Sequence, residues 1–338
     1  MITQLDSQLY TISVPLPGNP LKNLNVYVVR DPGGRNLLID TGFRQDACRQ
    51  ALLEGLQELG IRMEDTDIFL THLHSDHTGL APELASAATE VYIGEHDLGY
   101  MPGSSSAFSW AASDRHYARE GFPEALLRRL TTENPAQGLA PVPFSRYRSV
   151  QHGQHFRCGP YDFTALHTPG HTPGHTMLWE EKTGIALLGD HILFDITPNI
   201  TRWQQGGDAL GDYLQSVAAA DRLPVKLPLP AHRQVHMDYH QRCAQLLLHH
   251  QRRCDEVLEI LSDGRPMNAW EIASRMTWKI RARSWEEFPA PQKWFAVGEA
   301  MAHIDHLIAQ GSLLREARPD GSVFYRINSD TPQEVPES

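Results

Sequence analysis

Nine residues, Thr71-His72-Leu73-His74-Ser75-Asp76-His77-Thr78-Gly79, constrain this chain more than any other stretch. Three imidazoles and a carboxylate fall within six residues, directly behind the apolar run Ile68-Phe69-Leu70. Such a run predicts a buried strand, and Ser-Asp-His-Thr-Gly predicts a turn into a short helix. The polar side chains then gather at the carboxyl end of a strand. Neutral imidazole and ionised carboxylate bind zinc or iron, at roughly 2.0–2.2 Å for zinc. On extended backbone His72 and His74 point the same way, because side chains repeat with period two. One ion can be gripped by both, while Asp76 and His77 project elsewhere, as a second ion nearby would require.

Three further segments carry similar chemistry in order along the chain. Leu166-His167-Thr168-Pro169-Gly170-His171-Thr172-Pro173-Gly174-His175 is a turn rich in histidine, Ile185-Ala186-Leu187-Leu188-Gly189-Asp190 is an apolar strand ending in aspartate, and Leu227-Pro228-Leu229-Pro230-Ala231-His232 ends in histidine. The His-x-His-x-Asp-His spacing, the Thr-Pro-Gly-His turn and the two strand-end ligands resemble the metallo-β-lactamase superfamily. The resemblance implies an α/β fold, the αββα sandwich. It assigns His72, His74 and His171 to a first metal and Asp76, His77 and His232 to a second, with Asp190 between them. It also implies two Zn2+ per chain, with Mn2+ or Fe2+ as alternatives. His236 and His240 follow His232 at helical spacing and stay open as alternatives for the last ligand. His152, His155, His175 and His191 are read as supporting or surface histidines.

The balance of charge narrows the partners. With 30 Lys and Arg against 41 Asp and Glu the net charge is -11, so no overall field draws in nucleic acid or an anionic membrane. A small-molecule substrate is expected instead. The four cysteines, at 48, 158, 243 and 254, show neither Cys-x-x-Cys spacing nor a disulfide framework and are read as small core residues in a reducing, cytoplasmic compartment. Neither a leader pattern nor a run of eighteen apolar residues occurs.

Upstream of the motif, Tyr10-Thr11-Ile12-Ser13-Val14 and Asn25-Val26-Tyr27-Val28-Val29 predict strands, and Asn36-Leu37-Leu38-Ile39 predicts a third that ends at Asp40-Thr41-Gly42. The resemblance makes Asp40 a residue that orients a ligand histidine from behind. Residues 45–59 carry Ala47, Ala51, Leu52, Leu56 and Leu59 at helical spacing, ended by Gly60. Between the motif and His171 lies an insertion, about 97–150, whose middle is rich in turn formers and aromatics. Read as a lid, it would place Phe108, Trp110 and Tyr117 against an apolar part of the substrate. Arg233, where many relatives have glycine, is a candidate to bind a substrate carboxylate or phosphate.

From about residue 241 the texture changes to helices without ligand spacing. A long helix ending at Asp263-Gly264, a capped helix at Asn268-Ala269-Trp270-Glu271 and a third over 291–310 precede a hairpin about Arg318-Pro319-Asp320-Gly321. Three helices and a two-stranded wing make a winged helix, and this stretch resembles the small domain of the lactamase-like protein 2 subgroup. The expected division is therefore a catalytic domain over 1–240, a winged-helix domain over 241–330 and a tail over 331–338. From residue 241 onward 12 Lys and Arg face 14 Asp and Glu, which is not the clustered positive charge that phosphate contact needs. A packing role, or a homodimer contact, is expected of it.

The resemblance implies hydrolysis by a hydroxide bridging two zinc ions, with Asp190 holding both ions and Asp76 a candidate to take or return a proton. The expected substrate is a thioester, ester or lactone of an apolar acyl group. A phosphodiesterase or ribonuclease on the same site is the first alternative. A mononuclear iron sulfur dioxygenase is the second, although it has no need of His77 and His232.

Overall fold

The computed structural model describes residues 1–104, 109–132, 136–204, 206–279 and 282–329, without the side chains of Trp110 and of residues 131, 132, 136 and 137. Phe108 and the tail over 331–338 lie outside the described residues, as does the side chain of Trp110.

Contacts gather the chain into two compact units, which it enters alternately. The first unit comprises Met1–Phe108, Pro135–Pro198 and Gln215–Ala244, and the second Ser109–Asn134, Asn199–Leu214 and Gln245–Ser338.

Two sheets build the first unit. One runs in chain order through β1 (Ile2–Asp6), β2 (Leu9–Pro15), β3 (Asn23–Val29), β4 (Asn36–Ile39), β5 (Thr66–Leu70), β6 (Val91–Gly94) and β7 (Tyr147–Val150). It is antiparallel up to β4 and parallel from β4 to β7. The other joins β8 (His155–Cys158), β9 (Tyr161–His167), β10 (Thr176–Glu180), β11 (Ile185–Gly189) and β12 (Leu227–Pro230) in the order β12-β11-β10-β9-β8, with β11 and β12 parallel.

Period-two alternation sorts the first sheet's side chains between two cores. Val26, Val28, Leu38, Ile68 and Leu70 face one core, which they share with Cys48, Leu52 and Leu56 of the helix Asp46–Glu58. Tyr27, Val29, Leu37, Ile39 and Phe69 face the other, where they meet Phe156, Phe163, Ala165, Leu178, Leu187 and Leu229 of the second sheet. This is the expected sandwich, with sheet against sheet and a helix over the first sheet's outer face. Because the central strands are buried on both faces, their ends are the places where polar side chains can emerge together.

The second unit holds the expected three helices and hairpin: Tyr239–Ile260, which begins in the first unit, Ala269–Ala273, Ala290–Ala309, and the strands β13 (Leu313–Ala317) and β14 (Val323–Ile327). Asn268 caps the short helix, its side chain accepting from the Glu271 N–H while Glu271 accepts from the Asn268 N–H. The unit also recruits the helix Trp110–Arg119. Its buried knot is Arg202, whose guanidinium meets Glu120 at 2.5 Å and Asp305 at 2.6 Å, while the Tyr325 hydroxyl donates to Glu120 at 2.8 Å. Burying a guanidinium is tolerable only with such paired carboxylates. Tyr117, expected to present its ring to a substrate, packs its ring inside this unit. Tyr117 is 3% exposed, with its ring stacked on Trp294 at 4.9 Å and edge-on to Phe122 at 5.8 Å, because it sits on the apolar face of its helix.

Candidate metal centre

The motif leaves β5 at Leu70, and its last part forms the one-turn helix Ser75–Thr78 that begins behind His74. His171 follows β9, Asp190 directly follows β11 and His232 lies two residues beyond β12. Four strand ends of two sheets thus deliver seven side chains to one place. Three ligand groups result: His72, His74 and His171; His72, His77 and Asp190; and Asp76, His77 and His232, each with its donor atoms within 4.8 Å of one another. All seven residues are buried except His74, which is partly so.

Distances fix which atoms face inward. His72 Nε2 and His74 Nδ1 approach to 3.0 Å, and His171 Nε2 lies 3.6 Å from Asp190 Oδ2. On the other side His232 Nε2 lies 3.3 Å from Asp76 Oδ2 and 3.5 Å from Asp190 Oδ1, and His77 Nε2 lies 3.7 Å from Asp190 Oδ1. The two carboxylate oxygens of Asp190 therefore face different histidines. His236 and His240, the alternatives to His232, pair instead with Asp195 at 3.1 Å and Asp221 at 2.9 Å.

Outer contacts orient these rings. Asp40 accepts the Thr71 N–H at 2.8 Å and meets His77 Nδ1 at 2.8 Å, which turns His77 Nε2 inward as a lone pair when His77 is neutral. Asp40 does so from a left-handed backbone, φ 63°, a conformation uncommon for a residue with a side chain. The Asn23 carbonyl does the same for His232, 2.9 Å from its Nδ1. His175, read from sequence as supporting or surface, is fully buried, and its Nε2 accepts the Asp190 N–H at 3.1 Å. Gly189 makes room for that ring: a Cβ there would stand 2.5 Å from His175 Nε2. Arg233 donates to the Pro20 carbonyl at 2.5 Å.

One residue at the site has no counterpart in the sequence motifs. Asp97, fully buried behind β6, accepts from the Leu73 N–H at 2.9 Å, the Thr172 hydroxyl at 2.7 Å and the Gly174 N–H at 2.6 Å. Burial pushes its carboxyl up to about 7 against the pull of those three donors. No spacing rule marks it, since Gly94-Glu95-His96-Asp97 reads as an ordinary strand end.

Charge divides the cluster. Burial, reinforced by neighbouring imidazoles, drives His72 well below its ordinary value, and burial together with His171 pushes His74 down to about 3. Burial also works against the protonated form of His77, but Asp40, Asp76 and Asp190 outweigh it and raise His77 to about 10. His232 is raised likewise by Asp190 and Asp76 against its burial. Burial raises the Asp76 carboxyl, yet His77 and His232 hold it below the usual carboxylate range.

The donor set fits divalent metal ions. His77 Nε2, His232 Nε2 and Asp190 Oδ1 are buried with no hydrogen bond, and such polar atoms are rarely left so without a function. Imidazoles and carboxylates are the ligands that zinc, manganese and ferrous ions share. No thiol takes part, because all four cysteines are buried and outside the ligand groups. Among the described residues no helix is long and apolar enough to cross a membrane.

Comparison with known proteins agrees with this geometry. Residues 20–247 match the family described as the metallo-beta-lactamase superfamily, and residues 254–328 match the metallo-beta-lactamase-like C-terminal domain. The crystal structure of a beta-lactamase domain protein from Burkholderia ambifaria superposes with a TM-score of 0.84 at 27% identity, covering 97% of this chain and 94% of that one. The lactamase-like protein aptB of Emericella nidulans is 24% identical over 72% of this chain and 62% of its own length. An atrochrysone carboxyl ACP thioesterase of Aspergillus fumigatus is 26% identical over 75% of this chain and 48% of its own. The chain thus spans about three fifths of the first of these two curated relatives and about half of the second. With matched family segments running through both the ligand cluster and the helical C-terminal stretch, this chain belongs to the metallo-beta-lactamase superfamily.

Proposed function

We propose that this protein is a dinuclear metal hydrolase that cleaves a thioester of an apolar acyl group, with zinc as the resident ion. The observation that carries the proposal is the placing of one carboxylate, Asp190, between two histidine groups, His72, His74, His171 on one side and Asp76, His77, His232 on the other. Two divalent ions held there supply Lewis acidity, which brings the pKa of water down to about 7 and polarises a carbonyl oxygen. The remaining work belongs to the chain. His77 and His232, oriented by Asp40 and the Asn23 carbonyl, offer lone pairs at fixed positions once metal binding displaces the protons their raised pKa values retain. To Asp76, whose Oδ2 lies 3.3 Å from His232 Nε2, we assign the taking of a proton from the attacking water and its return to the departing thiolate. The buried strand ends exclude bulk water and so strengthen each of these electrostatic contacts.

Choice of a thioester over other acyl compounds rests on the acyl-carrier thioesterase among the relatives. A net charge of -11 argues against a polyanionic substrate. Purified protein should contain about two equivalents of zinc or manganese by elemental analysis and release free thiol from medium-chain acyl thioesters faster than it opens lactones. One equivalent of iron, or cleavage of RNA in preference to thioesters, would overturn the proposal.

A further inference from the structure

We infer that Asp97 is a positioning residue for one half of the metal centre, the group His72, His74 and His171, and does not serve the other half. This inference rests on the metal-binding reading proposed above. Its basis is the identity of the three groups that Asp97 holds. Leu73 is the residue between the ligands His72 and His74, Thr172 directly follows the ligand His171, and Gly174 closes the same turn. One carboxylate therefore clamps two segments about 100 residues apart in sequence, and both supply ligands to the same group.

The clamp is close-fitting. Gly174 brings its backbone so near that a Cβ there would stand 2.3 Å from the Asp97 N atom, so glycine is required at that position for the turn to reach the carboxylate. A separate backbone bond, from the Thr176 N–H to the Thr71 carbonyl at 2.8 Å, ties the same two segments just outside it. Among the described residues nothing equivalent runs from Asp97 to the second group. His77 is held by Asp40 and His232 by the Asn23 carbonyl.

A carboxylate accepts all three bonds at once, whereas an amide of the same shape presents an N–H to one of the three donors. The Asp97→Asn variant therefore breaks the clamp without changing its volume. It should misplace His72 and His74 relative to His171 and weaken only the ion those three hold.

Metal retention in two single-site backgrounds tests this. His232→Ala removes a ligand of the second group and leaves the first, and His171→Ala does the reverse. Full-length proteins are loaded with zinc and dialysed against graded chelator, and zinc per chain is measured. Adding Asp97→Asn should lower zinc affinity roughly 10- to 100-fold in the His232→Ala background and leave the His171→Ala background unchanged. Equal weakening in both backgrounds, or none in either, overturns the inference. Thr172→Val, which removes one donor and keeps the carboxylate, should give a smaller loss confined to the same background, and Thr172→Ser should restore retention. That pair decides the matter if Asp97→Asn fails to fold. Failure of the unmodified protein to bind any divalent ion would instead overturn the metal centre itself, and the inference with it.

Discussion

Among the described residues each unit holds a group of buried histidines, and the surroundings of the two groups are opposite. In the first unit His72, His74, His77, His171 and His232 alternate with Asp76 and Asp190, and their inward nitrogens converge. In the second unit His250 and His303 lie fully buried side by side, with His250 Nδ1 3.1 Å from His303 Nε2 and His303 Nδ1 2.8 Å from the Glu299 carbonyl. Here His250 Nδ1 and both nitrogens of His303 are engaged by one another and the backbone, His250 Nε2 is buried with no hydrogen bond, and no carboxylate separates the two rings. Burial drives both below their ordinary values, His303 down to about 3. What makes a ligand set is therefore not histidine density, which both regions have, but aspartates interleaved with lone pairs held in one direction by an outer ring of acceptors.

The comparison breaks most readily at the shared carboxylate. Asp190→Ala should lower turnover by roughly 10^3-fold or more and reduce bound metal, because it removes the oxygen that faces each half of the centre. His303→Ala, a buried histidine of the second unit, should leave metal content at the wild-type value. Comparable metal loss in both variants, read by elemental analysis, would show that convergence with carboxylates is not what distinguishes the two clusters.

Next in size is the loss of an orienting contact. Asp40→Asn replaces an acceptor of the His77 Nδ1 proton and should weaken the ion on the His77 side about 10- to 100-fold, as such outer partners do elsewhere. Chelator titration monitored by residual zinc checks it. Smaller again is His175→Ala. The Asp190 N–H loses its acceptor while Asp190 keeps its side chain, so a drop in kcat of about tenfold with nearly full metal content is expected. A variant as metal-poor as Asp190→Ala would make His175 a ligand rather than a support.

Much of this was legible in sequence, for identifiable physical reasons. The ligand cluster announced itself because His72, His74, Asp76 and His77 are local in sequence, and the apolar runs before Asp190 and His232 are β11 and β12. His232 could not be separated from His236 and His240 by spacing. Only the fold shows that the latter two pair with Asp195 and Asp221. Asp97 was invisible because its partners lie 24, 75 and 77 residues away. For His175 the sequence left supporting and surface roles open, because a ring that accepts from a backbone N–H leaves no pattern. The packing of Tyr117 was not legible because its ring partner, Trp294, lies nearly 180 residues on. Short strands such as β8, where buried and exposed residues alternate over four positions, carry too little signal to be read alone.

The smallest effect sharpens the comparison through pH. His303 titrates near 6.5 when unfolded and is pushed down to about 3 in the fold, first by burial and then by the positive neighbours Arg253, His249 and His306. Between those values the unfolded chain binds a proton that the folded chain refuses, so stability is full above about pH 6.5 and falls as the solution is acidified toward 3. His250, depressed in the same direction, adds to the slope. The first unit differs, since His77 and His232 are raised and contribute in the opposite sense until metal displaces their protons. Melting of the zinc-loaded full-length protein between pH 4.5 and 7.5 should therefore be compared with that of His303→Asn, which keeps a donor for the Glu299 carbonyl but cannot titrate. The variant should be the less stable of the two at pH 7.5 and should lose stability less steeply on acidification, by up to about 1.4 kcal/mol per pH unit for the one proton removed. Parallel curves would mean that His303 takes up its proton in the folded state, and the contrast between the two histidine clusters would then not extend to their charge.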